Sequence, residues 1–169
     1  MSKSENYELS DSQIKGGLKK ALLGSIELAG YAKDILERNG NASLSFGLYF
    51  FAIEEYGKYE ILRECLLDSV KRHLVSKDVF DTKKSKVNFK KALNALPKEI
   101  HEKLPIRLSS DSQSEMDCFY LNWDHENEKW KVPPKIDSSQ LLESITAFER
   151  HASMKLDTEY DSQSSVKPL

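Results

Sequence analysis

The fold is decided by residues 44–62, which read LSFGLYFFAIEEYGKYEIL. Their first half, 44–53, is apolar on nearly every side of a helix, which is typical of a helix packed against several neighbours. We therefore expect a central helix here. Any of residues 41–43 can cap its start, and it is expected to run past residue 67.

A charged group, Glu54, Glu55 and Lys58, interrupts the apolar sequence of this helix. Lys58 follows Glu54 by four residues and Glu55 by three, so its ammonium group can bond either carboxylate on one helix face. The apolar stripes that lead into the group indicate that Lys58 and at least one carboxylate point inward. Burying ions is costly in desolvation and requires further polar partners. The group is therefore either a polar clasp to another helix or subunit, or the lining of a site.

A helix is also predicted upstream, because apolar residues recur at every third or fourth position from Ser12 onward. It is expected to stop at Asn39 and Gly40, since glycine tolerates the left-handed cap. The short link makes the two helices an antiparallel hairpin. Small residues of the upstream helix either admit a neighbouring backbone or are merely tolerated: Gly17, Ala21, Gly24, Ser25, Ala29 and Gly30.

Shorter elements are predicted downstream, where prolines punctuate the chain. Aromatic residues and alternation favour a β-hairpin, with Trp123 and Trp130 interpreted as its core rather than as a stacking platform. The expected order is a third helix over 87–96, a short helix over 98–104, the hairpin within 116–134, and a last helix from Asp137 or Ser138.

Length and composition favour one domain, since the chain has 169 residues, 39% of them apolar and 31% charged. No apolar run is long enough to span a membrane and no signal peptide precedes the helices, so a cytoplasmic protein without membrane contact is expected. Two cysteines without a histidine cluster predict no metal site, and no cofactor is expected. The expected organisation is a flexible N-terminus over 1–11, one helical domain over 12–156, and a disordered tail over 157–169.

Charge is uneven along the chain, although the net charge is only −2. Residues 71–91 hold eight Lys or Arg against two acidic residues, whereas residues 109–165 hold five against twelve. The basic stretch is either a solvated surface or a receptor for RNA or an acidic partner. Aromatic side chains would support RNA binding by stacking, and only Phe80 and Phe89 interrupt the stretch.

Two segments in the same order resemble the AbiV family of bacterial abortive-infection proteins, a branch of the HEPN superfamily. The first, FAIEEYGKYEIL at 51–62, contains the E-E-x-G-K signature of that family's second helix. The second, FYLNWD at 119–124, is followed by Trp130 and Pro133. The resemblance spans about residues 14–154. It implies a mainly α fold, an HEPN-like antiparallel helical bundle with the β-hairpin inserted before the last helix, and a homodimer.

Many HEPN proteins are ribonucleases with an Arg-x4–6-His motif, and this resemblance therefore raises the question of catalysis. No histidine of this chain follows an arginine at that spacing, and Arg63 and His73 have nine residues between them. The AbiV pattern has a histidine three residues before a lysine on the third helix, where this chain has Asn88 and Lys91. We interpret the histidines as structural, with His73 at a helix end and the others on polar stretches.

The function that follows is a non-catalytic helical binding protein of phage defence, which engages a phage or host factor and blocks phage RNA translation or gene expression. The alternative is a diverged ribonuclease toxin in which Glu54 or Glu55 is the general base and Lys58 stabilises the developing charge. A third interpretation is a nucleotide-binding module. The expected binding or dimer centre comprises Glu54, Glu55, Lys58, Arg72, His73, Asn88, Lys91, Trp123 and Trp130.

Overall fold

The structure, a computed structural model, describes residues 6–68, 73–81, 86–104, 122–124, 129–131 and 135–160 of the chain. Its described helices are α1 (Asp11–Asn39), α2 (Ala42–Leu67), α3 (Lys86–Ala95), α4 (Lys98–Glu102) and α5 (Ser138–Tyr160). The predicted mainly α fold is confirmed. Across the described ranges, no helix combines the length and the apolar character that crossing a membrane requires.

α1 and α2 form the predicted antiparallel hairpin. Ser10 caps α1 in a capping box, and its backbone N–H donates to the Gln13 side chain at 2.9 Å. Gly40 ends α1 with φ 63°, a left-handed conformation that glycine adopts without steric cost. Asn41 then caps α2, because its side-chain oxygen accepts a hydrogen bond from Leu44 N at 3.0 Å. The link between the helices is therefore as short as the sequence predicts.

The small residues of α1 are used for close packing at some positions only. A Cβ on Gly17 would lie 3.1 Å from Cδ1 of Leu62, and the Ser45 hydroxyl donates to the Ala32 carbonyl at 2.7 Å. These two contacts establish the antiparallel register of the hairpin. At Gly24 an added Cβ would meet nothing within 4 Å, so this glycine is tolerated rather than required.

α3 and α5 pack on two further sides of α2. On the α3 side the rings of Phe50 and Phe89 stack, with their centroids 4.5 Å apart. On the α5 side the ring of Tyr49 meets Phe148 edge-on, with their centroids 5.6 Å apart. α2 is therefore the central helix, as its apolar sequence predicts.

α5 begins at the predicted cap, since Asp137 Oδ1 accepts a hydrogen bond from Gln140 N at 2.9 Å. It lies against α1 as well as α2, with Lys33 Nζ 3.3 Å from Glu149 Oε2. The sequence predicts a tail from residue 157, whereas α5 continues to Tyr160. Contacts of its last turn with α1 and α2 account for this extension.

Two short antiparallel sheets complete the described structure. β1 (Asn6–Glu8) pairs with β2 (Leu74–Ser76), which leads into a 3₁₀ turn at Lys77–Phe80. β3 (Asn122–Asp124) pairs with β4 (Lys129–Lys131), with Trp123 opposite Trp130, and forms the predicted hairpin. The sequence does not predict β1, because three residues with one aromatic side chain are too few to form a recognisable strand pattern and their partner strand lies far along the chain.

The core lies where α1, α2 and α5 meet. Its largest fully buried side chains are Tyr49, Tyr56, Tyr59, Phe46 and Phe148. Three of these are tyrosines, and a hydroxyl group in an apolar interior requires a hydrogen-bond partner. The Tyr49 hydroxyl meets this requirement at Ser144 of α5, whose Oγ lies 2.9 Å away.

Candidate binding site

The charged group of α2 is divided between the interior and the surface. Glu54 is buried, with 7% of its surface exposed. Lys58 bonds Glu55, with Nζ 2.5 Å from Oε1, and the two side chains are 27% and 30% exposed. One carboxylate therefore points inward, as predicted. Lys58, which was also predicted to point inward, instead pairs with the other carboxylate at the edge of the surface.

Gly57, inside the same motif, is where α3 touches α2. A Cβ at this position would lie 1.8 Å from the backbone oxygen of Asn88 and 2.5 Å from its carbonyl carbon. Only glycine permits such an approach. Asn88 is itself buried, and its Nδ2 donates to the Val79 carbonyl at 2.9 Å. The E-E-x-G-K motif thus places a helix contact and a charged pair at adjacent positions.

One side of α2 is open to solvent. Leu44 and Phe51 are 53% and 52% exposed, and the partly buried Leu48 lies between them. The stripe continues to Glu55 and Lys58 at helical spacing. The apolar sequence predicts burial on nearly every side of this helix, and that prediction is wrong here, because among the described helices α1, α3 and α5 cover only the other sides.

His73 has a structural role among the described residues. Its φ of 75° is unusual for a histidine, and its Nδ1 donates to the Leu9 carbonyl at 2.6 Å. The Leu9 N–H in turn donates to the His73 carbonyl at 2.9 Å, and His73 Nε2 lies 3.5 Å from Asp11 Oδ1. His73 thus joins β2 to the start of α1 and does not lie at a helix end as the sequence predicts, because α2 ends at Leu67.

The basic stretch is only partly described. Lys91 pairs with Glu64 of α2 at the surface, and Phe89 is buried against α2, so its ring is not exposed for stacking. Phe80 is 47% exposed, with its ring 5.9 Å from that of Tyr7. The predicted roles of Arg72 and of the Trp123 and Trp130 side chains lie outside the described residues.

The structure adds a polar cluster at the contact between α2 and α5. The Tyr56 hydroxyl donates to Glu60 Oε1 at 3.0 Å and lies 2.9 Å from His151 Nε2. The single hydroxyl proton of Tyr56 points to Glu60. The hydrogen bond between Tyr56 and His151 therefore needs a proton on Nε2 of His151, which donates it to the Tyr56 oxygen. Tyr56 and Glu60 are both buried, whereas His151 is partly exposed.

Arg63 and Glu159 extend this cluster toward the end of α5. Arg63 Nε lies 3.1 Å from Glu159 Oε1, and Arg63 Nη1 lies 3.7 Å from Glu60 Oε2. The Tyr59 hydroxyl donates to Glu159. One guanidinium group therefore bridges carboxylates of two helices and holds the end of α5 on α2.

Burial determines the protonation of the cluster. Burial raises the pKa of Tyr56, and the nearby Glu60 carboxylate raises it further. Burial also raises the pKa of Tyr59, and the hydrogen bond to Glu159 raises it further. Burial lowers the pKa of His151, Lys155 lowers it further, and Glu60 opposes both effects. The tyrosines therefore remain donors and His151 is neutral at neutral pH.

The helical spacing of Tyr56, Glu60 and Arg63 could have indicated that these residues share one face of α2. Their partners on α5 could not be predicted from spacing, because they lie almost a hundred residues further along the chain. In the described parts of the chain, no group of three or more His, Cys, Asp or Glu side chains could hold a metal ion.

The fold and the motif define the class of protein. The hairpin of α1 and α2, the glycine contact with α3, and the β-hairpin before α5 together form a mainly α-helical fold. The family model HEPN_AbiV, described as AbiV, matches residues 13–152, so the chain belongs to the AbiV family, whose members act in abortive-infection defence. No curated protein and no solved structure matches the chain.

Proposed function

We propose that the protein is a non-catalytic binding protein of abortive infection, which acts as a cytoplasmic homodimer and engages a phage or host protein. The observation that carries the proposal is how the E-E-x-G-K motif is used: Gly57 receives α3, and Lys58 is paired with Glu55. These residues hold α3 in place and present a charged pair beside an exposed apolar stripe. An apolar centre with a polar rim is the anatomy of a protein interface.

Binding of a phage or host protein can stop phage growth without any catalytic step. A bound factor that phage translation or gene expression requires is withdrawn from use, and the phage cycle stops. We favour a protein partner over RNA, because in the described part of 71–91 Phe89 is buried and Lys91 is paired with Glu64, and Phe80 is the one aromatic ring of that part that is exposed. Stacking on single-stranded RNA requires exposed aromatic rings beside unpaired cations.

The test compares RNA integrity with phage plating in cells that produce the protein. We expect plating to be reduced while total RNA from infected cells stays intact, and we expect purified protein to leave total RNA uncleaved. Capture of the tagged protein from infected cells should return the same phage or host protein in repeated experiments. RNA fragments that depend on the protein would overturn the non-catalytic proposal.

A ribonuclease is the second candidate, and one observation favours it. Arg63 and His151, which no sequence spacing relates, belong to one cluster through Glu60 and Tyr56. A neutral histidine that shares a polar cluster with a guanidinium group can serve as a general base in phosphodiester cleavage. If RNA is cleaved, His151→Gln should abolish the cleavage. If cleavage is instead lost only in Glu54→Gln and Lys58→Ala, the catalytic site would lie in the E-E-x-G-K motif.

A further inference from the structure

We propose that Arg63 and Tyr59 of α2 form a binding site for a phosphate group, and that the carboxylate of Glu159 occupies this site as an internal competitor. We call the two donors, Nε of Arg63 and the hydroxyl of Tyr59, the anion cradle. Phosphate binding at the anion cradle is independent of the phage or host protein proposed above, and it requires no cleavage of RNA.

The two donors of the anion cradle converge on one oxygen atom. Arg63 Nε lies 3.1 Å from Glu159 Oε1, and the Tyr59 hydroxyl donates to the same Oε1. Arg63 Nη1 lies 3.7 Å from Glu60 Oε2, which is beyond hydrogen-bonding distance. A guanidinium N–H and a hydroxyl directed at one anionic oxygen are the contacts that bind an oxyanion. The Glu159 carboxylate therefore occupies the position that a phosphate oxygen would take.

The anion cradle belongs to the central helix, whereas its occupant comes from a helix end. Tyr59 is fully buried, and its ring centroid lies 5.4 Å from that of Tyr56, so its hydroxyl is held in place. Glu159 is the penultimate residue of α5, and its side chain is 26% exposed. The last turn of a helix is also its least stable part. The carboxylate can therefore turn into water while the cradle stays in position.

The charges around the anion cradle favour an anion once Glu159 turns away. Lys155 lies one turn before Glu159 on α5, and its charge acts on the same cluster, where it lowers the pKa of His151. Among the groups that these contacts bring together, two cations, Arg63 and Lys155, then face one carboxylate, that of Glu60. The neighbourhood of the cradle is left with an excess of positive charge, which attracts an anion.

Donor chemistry and access favour a phosphate group as the ligand. Oε1 of Glu159 must accept from both donors, whereas a phosphate group can accept from each donor through a different oxygen. Tyr59 stays a donor, because burial raises the pKa of its hydroxyl. The Arg63 side chain is 39% exposed, so a ligand can reach the guanidinium group from solvent. Guanidinium groups bind phosphate through strong charge-assisted hydrogen bonds.

Calorimetric titration with inorganic phosphate tests the competition. Because Glu159 must leave before phosphate binds, Glu159→Ala should bind phosphate at least about tenfold more tightly than wild type. Glu149→Ala is the matched control, since it removes an α5 carboxylate of nearly equal exposure, 27%, that pairs with Lys33 of α1. Its affinity for phosphate should equal that of wild type. A gain in Glu159→Ala that does not exceed the gain in Glu149→Ala would overturn the proposal.

Substitution of the two donors tests whether the phosphate lies in the anion cradle. In the Glu159→Ala background, Arg63→Gln should abolish phosphate binding and Tyr59→Phe should weaken it several-fold. Tyr59→Phe removes one hydroxyl whose acceptor is already absent in that background, so it remains informative if Arg63→Gln disturbs the fold. Circular dichroism checks the fold of each variant. Phosphate binding that is unchanged by Tyr59→Phe and by a folded Arg63→Gln would overturn the assigned site.

Titration of the Glu159→Ala variant with uridine monophosphate identifies the source of the phosphate group. Tighter binding than that of inorganic phosphate, lost in Arg63→Gln, would support a site for the phosphate of a nucleotide. Equal affinities would support a site for free phosphate. Failure of both probes to bind Glu159→Ala would overturn the proposal.

Discussion

The backbone oxygen of Asn88 lies only 1.8 Å from the point at which a Cβ on Gly57 would stand. The glycine of the E-E-x-G-K motif is therefore a contact surface for α3. Its neighbours in the sequence face elsewhere: Glu54 is buried and Lys58 is paired near the surface. One short motif thus sets the position of α3 and the composition of the adjacent surface.

Gly57→Ala should destabilise the protein. The added methyl group overlaps the Asn88 carbonyl, so α2 and α3 must separate, which costs about 1–3 kcal/mol in unfolding free energy. Gly24→Ala is the matched control, because nothing lies within 4 Å of its added Cβ and alanine favours the helix by about 0.5–1 kcal/mol. Urea denaturation followed by circular dichroism measures both, and equal effects of the two substitutions would contradict the close contact.

Most helix ends could be predicted because local chemistry determines them, although α2 ends at Leu67 with Asp68 as its cap and does not run past residue 67 as the sequence predicts. The cap at Gly40 and the cap at Asn41 both lie where the sequence indicates, and so does the start of α5 at Asp137. β1 could not be predicted, since its strand partner is remote and Tyr7 alone interrupts its polar residues. The exposure of Phe51 could not be predicted either, because the sequence does not distinguish an apolar residue buried in the core from one that is exposed on a docking surface.

Tyr56→Phe should lower stability although it removes only one oxygen atom. Oε1 of the buried Glu60 would lose its hydroxyl donor, with Arg63 still facing Oε2, and His151 Nε2 would lose its acceptor. Leaving such groups unpaired costs about 1–3 kcal/mol. Tyr31→Phe provides the control, because its hydroxyl bonds Glu27 at an exposed site and its loss should change the unfolding free energy by less than about 0.5 kcal/mol.

The candidate site divides in the same way between local and long-range determinants. The spacing of Glu55 and Lys58 on one helix could be predicted, and these residues do pair. Which carboxylate is buried depends on where α3 packs, and the sequence could not resolve it. The cluster around His151 depends on the crossing of α2 and α5, which no local pattern specifies.

Stability should fall in mildly acidic solution because of His151. Burial lowers the pKa of this imidazole in the folded protein, whereas the unfolded chain has the ordinary value of 6.5. As the pH falls through 6.5, the unfolded state binds more protons than the folded state, so the unfolding free energy decreases until the folded pKa is passed. At higher pH both states are neutral and the contribution is constant.

Thermal melts between pH 7.5 and 5 measure the size of this effect. His151→Gln removes the titrating group and should show a flatter dependence of the melting temperature on pH than wild type. His101→Gln, on the exposed surface of α4, should run parallel to wild type. A curve for His151→Gln that is as steep as that of wild type would assign the acid sensitivity to another group.

Lys58→Ala should separate defence from folding. The Lys58–Glu55 pair is partly exposed, and such pairs contribute less than about 1 kcal/mol, so the unfolding free energy should hardly change. The pair lies at the end of the exposed stripe of Leu44 and Phe51, where its loss alters the rim of the proposed interface. We therefore expect phage protection to weaken in plating assays while the melting temperature is retained. Arg38→Ala is the control, because it removes an exposed pair with Asp34 near the end of α1 and should preserve both phage protection and the melting temperature. Full phage protection by Lys58→Ala would limit the Lys58–Glu55 pair to a local structural role.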